Sequence, residues 1–228
     1  MSPLSDQTIR HIQRRLHEHF GALHWWPAES PFEVAVGAIL TQNTAWTNVE
    51  QAIRNLKRAE ALAPQQLAGL PVAQLEELIR PSGFFRQKAL RLQSLARHLQ
   101  DEWQGSLANL CSGPLPDARA RLLSLPGIGP ETADSILLYA ADRPSFVVDA
   151  YTRRIFERIG LLQGQEKYDE IRQLFMQNLP EDAELYNEYH AQIVQLAKTC
   201  CRKHKTLCSA CPLNAICRHA KRADKDAR

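Results

Sequence analysis

From Ser5 to Cys200 the apolar residues of this chain recur at every third or fourth position, and proline or glycine interrupts them at short intervals. That period belongs to the α-helix, where side chains three and four apart share a face. The only β-like run is "FVV", Phe146 to Val148, which is too short to found a sheet. The spacing predicts an all-α protein of about ten helices. "SDQTIRHIQRRLHEHF" sets Ile9, Ile12 and Leu16 on one face behind a Ser/Asp start. "SPFEVAVGAIL" opens with Ser30 as cap and Pro31 at the first helical position, where a missing N–H costs nothing. "DSILLYAA" is apolar enough for a central buried helix, and "VDAYTRRIFERIG" ends on Gly160, suited to a C-cap. Trp103 is expected in the core.

At 228 residues the chain can build one large domain or two modest ones. No apolar run approaches the roughly 20 residues that a membrane helix needs. Charges throughout "MSPLSDQTIRHIQRRLHEHF" leave no secretory signal there, so a cytoplasmic monomer is the expectation. The net charge of +3 is too mild to identify a nucleic-acid partner, but "KTCCRKHKTLC" and "RHAKRADKDAR" make the C-terminal region locally basic. The last ten residues read as a solvated, frayed tail.

Six cysteines are present, and all but Cys111 lie between positions 200 and 217. In a cytosolic chain such clustering suggests a metal site sooner than disulfides. Cys201, Cys208, Cys211 and Cys217 follow the spacing C-x6-C-x2-C-x5-C, which suits a tetrahedral zinc ion or a cubane iron–sulfur cluster without choosing between them. Cys200 is the odd one out, and Cys111 reads as a small buried hydrophobe.

"LPGIGPETADSILLY", Leu125 to Tyr139, reads as a tight turn between two helices. Gly127 and Gly129 can take conformations closed to other residues and let backbone approach a ligand. Their amides, with the start of the next helix, suit a phosphate. A plain interhelical turn would look similar, since G-x-G alone is a weak signal.

Taken in order, "LPGIG", Asp149 in "VVDAYTRRI", and the cysteine loop resemble the endonuclease III family of DNA glycosylases, over roughly Pro31 to Cys217. The resemblance implies two helical domains. One is a six-helix barrel with the helix-hairpin-helix, residues 31–140; the other, residues 1–30 and 141–228, carries the cluster, with a DNA cleft between them. It implies [4Fe-4S] as the cofactor and double-stranded DNA with a damaged base as the partner, at the nucleoid in a bacterial cell. It also implies phosphate contacts at Leu125, Gly127, Ile128, Gly129 and Thr132, and a flipped nucleotide. Asp149 becomes the carboxylate that stabilises an oxocarbenium-like sugar and activates water, although an aspartate there also suits a helix N-cap.

Bifunctional members of that family carry a lysine nucleophile where this chain has Glu131, so a monofunctional, water-using glycosylase is expected. Lys88 or Lys198 is a weaker substitute. "LHWWPAESPFEVAVGAILTQNTAW" is similar to the 3-methyladenine glycosylase branch, which implies a base pocket walled by Trp25, Trp26, Pro27 and Trp46 for cationic alkylated purines. The same rings could simply be core. Gln42 and Asn43 fall where an amide fills the gap left by the flipped base, and Lys198 where a lysine approaches the pocket or a phosphate. Arg202, Lys203 and Lys205 suit backbone contact. Two further possibilities are a mismatch or oxidised-pyrimidine glycosylase with weak lyase activity, and a non-catalytic damaged-DNA-binding protein.

Overall fold

The computed structural model describes residues 3–23 and 28–226, so Trp25, Trp26 and Pro27 lie outside the described residues. The α-helices are α1 (Pro3–Phe20), α2 (Pro31–Leu40), α3 (Trp46–Arg58), α4 (Pro64–Gly69), α5 (Val72–Ile79), α6 (Phe85–Trp103), α7 (Leu107–Leu110), α8 (Leu115–Leu123), α9 (Pro130–Ser135), α10 (Ala150–Ile159), α11 (Tyr168–Asn178), α12 (Ala183–Thr199) and α13 (Arg218–Asp226). A π-helical segment, Ile136–Ala140, continues α9, and no strand occurs among the described residues. No helix among them is long and apolar enough to cross a membrane. The chain divides into two compact units, Trp26–Arg143 and Met1–Trp25 with Pro144–Arg228.

In the unit Trp26–Arg143, α2 is buried from Phe32 to Leu40 and lacks a polar face, which marks it as the central helix. Ser30 caps it through Oγ, which accepts from the Glu33 amide at 3.2 Å. Leu56, Leu67, Leu75, Leu92, Leu95 and Leu99 share the same core, and each contributes about 1.5–3 kcal/mol relative to exposure. At the end of α2 the Lys88 amine donates to the Leu40 carbonyl at 2.8 Å and the Ser82 carbonyl at 2.7 Å. Burial, with the nearby charge of Arg91, pushes this ammonium down to about 8. Lys88 is therefore an internal cap for orphan carbonyls, not a free amine. Cys111 is 2 % exposed, and burial raises its thiol to about 11. Trp103 departs from expectation: it is half-buried, its N–H donates to His98 Nε2 at 3.1 Å, and the Arg121 guanidinium covers its ring at 5.1 Å. Its polar N–H and a surface cation keep it at the rim.

In the other unit, Ile9, Ile12 and Leu16 of α1 are fully buried, and α1 packs on α11 and α12. Phe146 stacks on Phe175 with ring centres 4.1 Å apart, and Phe156, Tyr186 and Tyr189 meet these rings edge-on. The "FVV" segment is thus extended chain plugging an aromatic core. Helices surround it, leaving no neighbour to complete a ladder. Of the last ten residues, those described, through Asp226, continue α13 rather than fray as expected, and α13 packs on α10 and buries Ala220. One buried small residue and α10 as partner supply the packing that a basic composition conceals.

Candidate active site: a hairpin, a capped carboxylate and a thiol loop

The hairpin joins α8 to α9. Leu125 and Ile128 are buried, and their amides are used internally, donating to the carbonyls of Leu122 at 3.2 Å and Leu125 at 3.1 Å. They anchor the loop while Pro126, Gly127 and Gly129 stay exposed. Gly127 has φ +78°, and a Cβ there would lie 2.2 Å from Arg91 Nε. Gly129 differs from the expectation: at φ −89° and ψ 178° it is ordinary extended backbone, and a Cβ there would meet nothing within 4 Å. Only one of the two glycines is conformationally required. Below the turn, Arg119 grips Asp134 with two bonds of 2.9 and 3.1 Å, tying α8 to α9 where Asp134 is fully buried.

Gln42, in the turn after α2, is tied into the hairpin. Its Nε2 donates to Thr132 Oγ1 at 2.9 Å and the Gly127 carbonyl at 3.2 Å, and its Oε1 accepts from Arg91. Asn43 is exposed at φ +53° and has no side-chain hydrogen bond among the described residues. Thr132 is buried, and Glu131 is exposed in the first turn of α9. Trp46 is half-buried against the core, with its N–H on Glu50 Oε1 at 3.0 Å. Phe84 of this unit, 65 % exposed at φ +46°, heads α6 and carries no motif. Its only sequence signal is an aromatic pair directly after Gly83, at a helix break.

The hairpin geometry gives an immediate test. Gly127→Ala should cost about 1–2 kcal/mol for the left-handed backbone and displace Arg91 from Gln42. Gly129→Ser, which supplies a capping hydroxyl at a compatible φ, should change the melting temperature far less.

Asp149 ends the buried extended segment and caps α10. Its Oδ1 accepts from the Thr152 amide at 2.7 Å and the Thr152 hydroxyl at 2.9 Å. Its Oδ2 lies 3.6 Å from His190 Nε2 of α12, an ion-pair distance and longer than a hydrogen bond. Burial pushes this carboxyl upward, but His190 and the two Thr152 donors outweigh it, so the group sits below its ordinary range and stays ionised. The Val148 amide donates to the Tyr168 hydroxyl at 3.3 Å, fixing the backbone before it. Capping and an ionised carboxylate coexist, because one oxygen serves the helix and the other faces the histidine. His190 was not legible beforehand: a lone histidine in "YNEYHAQIV" matches no motif. Lys198 is exposed in the last turn of α12.

The cysteine loop follows α12. The turns Cys208–Ala210 and Asn214–Ile216 space the thiols, and Asn214 Nδ2 braces the first by donating to the Cys208 carbonyl at 2.7 Å. No cysteine is in a disulfide among the described residues. Burial raises the Cys211 thiol to about 11, helped by the neighbouring Cys200, Cys201 and Cys217 and opposed by the Leu213 amide. The thiols therefore gather within electrostatic reach. No group of three or more metal-ligating side chains among the described residues is drawn tightly enough to hold a single metal ion. Four half-exposed soft donors of this kind have the chemistry of zinc or iron–sulfur ligands. Two arginines from α10 meet the loop. Arg154 donates to the Cys201 carbonyl at 3.0 and 3.2 Å, and Arg158 reaches Cys201 Sγ at 3.3 Å and the carbonyls of Arg202 and Lys203 at 2.7 and 3.0 Å.

Comparison with known proteins gives the family. Residues 36–181 match the family described as "HhH-GPD superfamily base excision DNA repair protein". The chain is 48% identical over 213 residues to a protein provisionally named a DNA repair glycosylase in Methanocaldococcus jannaschii, covering 92% of this chain and 96% of that one. Among solved structures, endonuclease III in a non-covalent DNA complex superimposes with a TM-score of 0.82 at 26% identity, covering 96% of this chain and 98% of that one. The 3-methyladenine DNA glycosylase of H. pylori, bound to 1,N6-ethenoadenine, gives 0.72 at 30% identity, covering 85% and 97%. The chain belongs to the HhH-GPD superfamily, among its endonuclease III-like members. It is a DNA N-glycosylase of base excision repair.

Proposed function

We propose that this glycosylase is monofunctional and releases alkylated purines by attack of water on the sugar. The observation that carries the reading is Glu131, exposed in the first turn of α9 where a lyase would present an amine. A carboxylate cannot form the imine that strand cleavage requires. Of the two substitute amines, Lys88 is held inside by two carbonyls, and Lys198 is exposed in the last turn of α12.

On this reading Asp149 faces the anomeric carbon. As the C1′–N bond lengthens, its negative charge stabilises the positive sugar, and its carboxylate takes the proton of the attacking water. The departing purine keeps the bonding electrons, which cancel the charge its alkyl group created, so no protonation of the base is needed. His190 and Thr152 hold the carboxylate in place. Trp46, with Trp25, Trp26 and Pro27, would face the cationic base. The amides of Gly127, Gly129 and the first turn of α9 would hold phosphate, and Leu125, Ile128 and Thr132 would set their positions. Asn43, whose amide has no side-chain bond among the described residues, suits the gap in the duplex, while Gln42 ties the same turn to the hairpin. Phe84 has the character of an apolar wedge between base steps. Lys198 would meet a phosphate near the pocket.

For the cofactor we propose a [4Fe-4S] cluster on Cys201, Cys208, Cys211 and Cys217. When bound it would cross-link the loop and hold Arg202, Lys203 and Lys205 where they can meet DNA phosphates.

The test is incubation with duplexes carrying 3-methyladenine, 7-methylguanine, thymine glycol, or G·T and G·U mismatches, with and without hot alkali. Release of alkylated purines with nicking only after alkali is expected. Release of pyrimidines alone, or borohydride-trapped protein–DNA adducts, would overturn the reading. Glu131→Lys should gain a trappable adduct that the parent lacks.

A further inference from the structure

The helix that carries His190 also carries a second polar group whose chemistry the mechanism leaves unused. Asn187 lies three residues before His190 and one before Glu188 on α12. On an α-helix that puts it roughly 60° around from His190, on the strip between His190 and Glu188. His190 faces Asp149 Oδ2 at 3.6 Å, and Glu188 Oε2 accepts from the Leu23 amide at 2.6 Å. Asn187 therefore lies on the helix between the residue that faces Asp149 and the residue bonded to the Leu23 amide. Its Oδ1 is buried and has no hydrogen-bond partner among the described residues. A buried carbonyl oxygen left so is costly, and tolerated where a ligand completes it.

We propose that Asn187 is a specificity-determining residue: its Oδ1 accepts a hydrogen bond from the exocyclic amino group of a flipped alkyladenine. The inference rests on the alkylpurine reading above and narrows it. The step from Asn187 to His190 is about 4.5 Å along the helix axis, so the group reads the base edge rather than the sugar next to Asp149. An acceptor there selects a base that offers N–H. Adenine presents an amino donor at the position where guanine presents a carbonyl acceptor. A guanine carbonyl would meet the Asn187 oxygen as one acceptor against another. Alkyladenines should accordingly be released faster than 7-methylguanine.

The test uses the full-length, metal-loaded protein and two adenine lesions that differ in this donor. 3-Methyladenine keeps its amino group, whereas 1,N6-ethenoadenine has that nitrogen locked in a ring without N–H. Asn187→Leu should slow single-turnover release of 3-methyladenine by about tenfold to a hundredfold and that of ethenoadenine by less than about threefold, the ratio expected for one lost hydrogen bond to a cationic base. Asn187→Asp, which keeps an acceptor of the same size, should retain most of the selectivity and controls for folding. Equal losses on both lesions, or no loss on 3-methyladenine, would overturn the role of Asn187. Failure of the parent protein to release either lesion would overturn the alkylpurine reading itself, which is a distinguishable result.

Discussion

Asp149→Asn should lower single-turnover base release by about 10³-fold, within the range a positioned proton acceptor supplies, while leaving duplex affinity nearly unchanged and lowering the melting temperature modestly, by the contribution of the ionised carboxylate. The substitution separates two roles of one side chain. Asparagine caps helices as well as aspartate does, so its carbonyl oxygen can still accept from Thr152 and α10 should keep its start. What disappears is the charge facing His190 and, on the proposed mechanism, the sugar. The pH profile separates the same two roles by another route. The carboxyl is held below its ordinary range, so its stabilising contribution is complete above the unfolded carboxylate value of about 3.9 and is lost as pH falls through the still lower folded value. Activity should therefore be independent of Asp149 ionisation through neutral pH and fail only in strong acid. The Asn variant should lack that acid transition in thermal melts. A parent enzyme and an Asn variant with equal rates would remove Asp149 as catalyst.

The second large effect is expected at the thiol loop. Protein purified without oxidation should be brown, with about four irons per chain. Cys211→Ser, or iron chelation, should cost on the order of 4–5 kcal/mol, the size that marks loss of a bound metal, and weaken DNA affinity. Calorimetry and iron analysis on the same preparation check both halves. A colourless protein with one zinc would refute the cluster. Arg158→Met should weaken iron retention without removing a thiol, because it takes away the donor to Cys201 Sγ.

Much of this was legible in the sequence because the relevant physics is local. Helical period placed Ile9, Ile12 and Leu16 in the core, Ser30 and Pro31 announced a helix start, and Gly160 stands at φ +96° as a C-cap. Glycine in a motif marks permission to bend rather than need, and so Gly127 and Gly129 looked equivalent until their φ values separated them. The residues missed are those whose meaning is set by a distant partner. His190 becomes significant only because α12 lies beside the start of α10, and Arg91 only because it lies over a glycine without a side chain. Arg154 and Arg158 carry no motif, and their role follows only from the loop carbonyls that they bind. Phe84 breaks the periodicity, and an apolar residue outside the pattern gives no indication of which way it points.

Helix α10 works as a tie rod. It has ten residues and spans about 15 Å, with the carboxylate fastened at its head by Thr152 and the thiol loop fastened along its length by Arg154 and Arg158. Slack at either end is felt along the same rod, since an α-helix resists stretching as one hydrogen-bonded column. The loop is therefore a poor candidate for trimming. A shortened protein that drops it would keep every atom of Asp149 and lose the mooring that holds its helix taut.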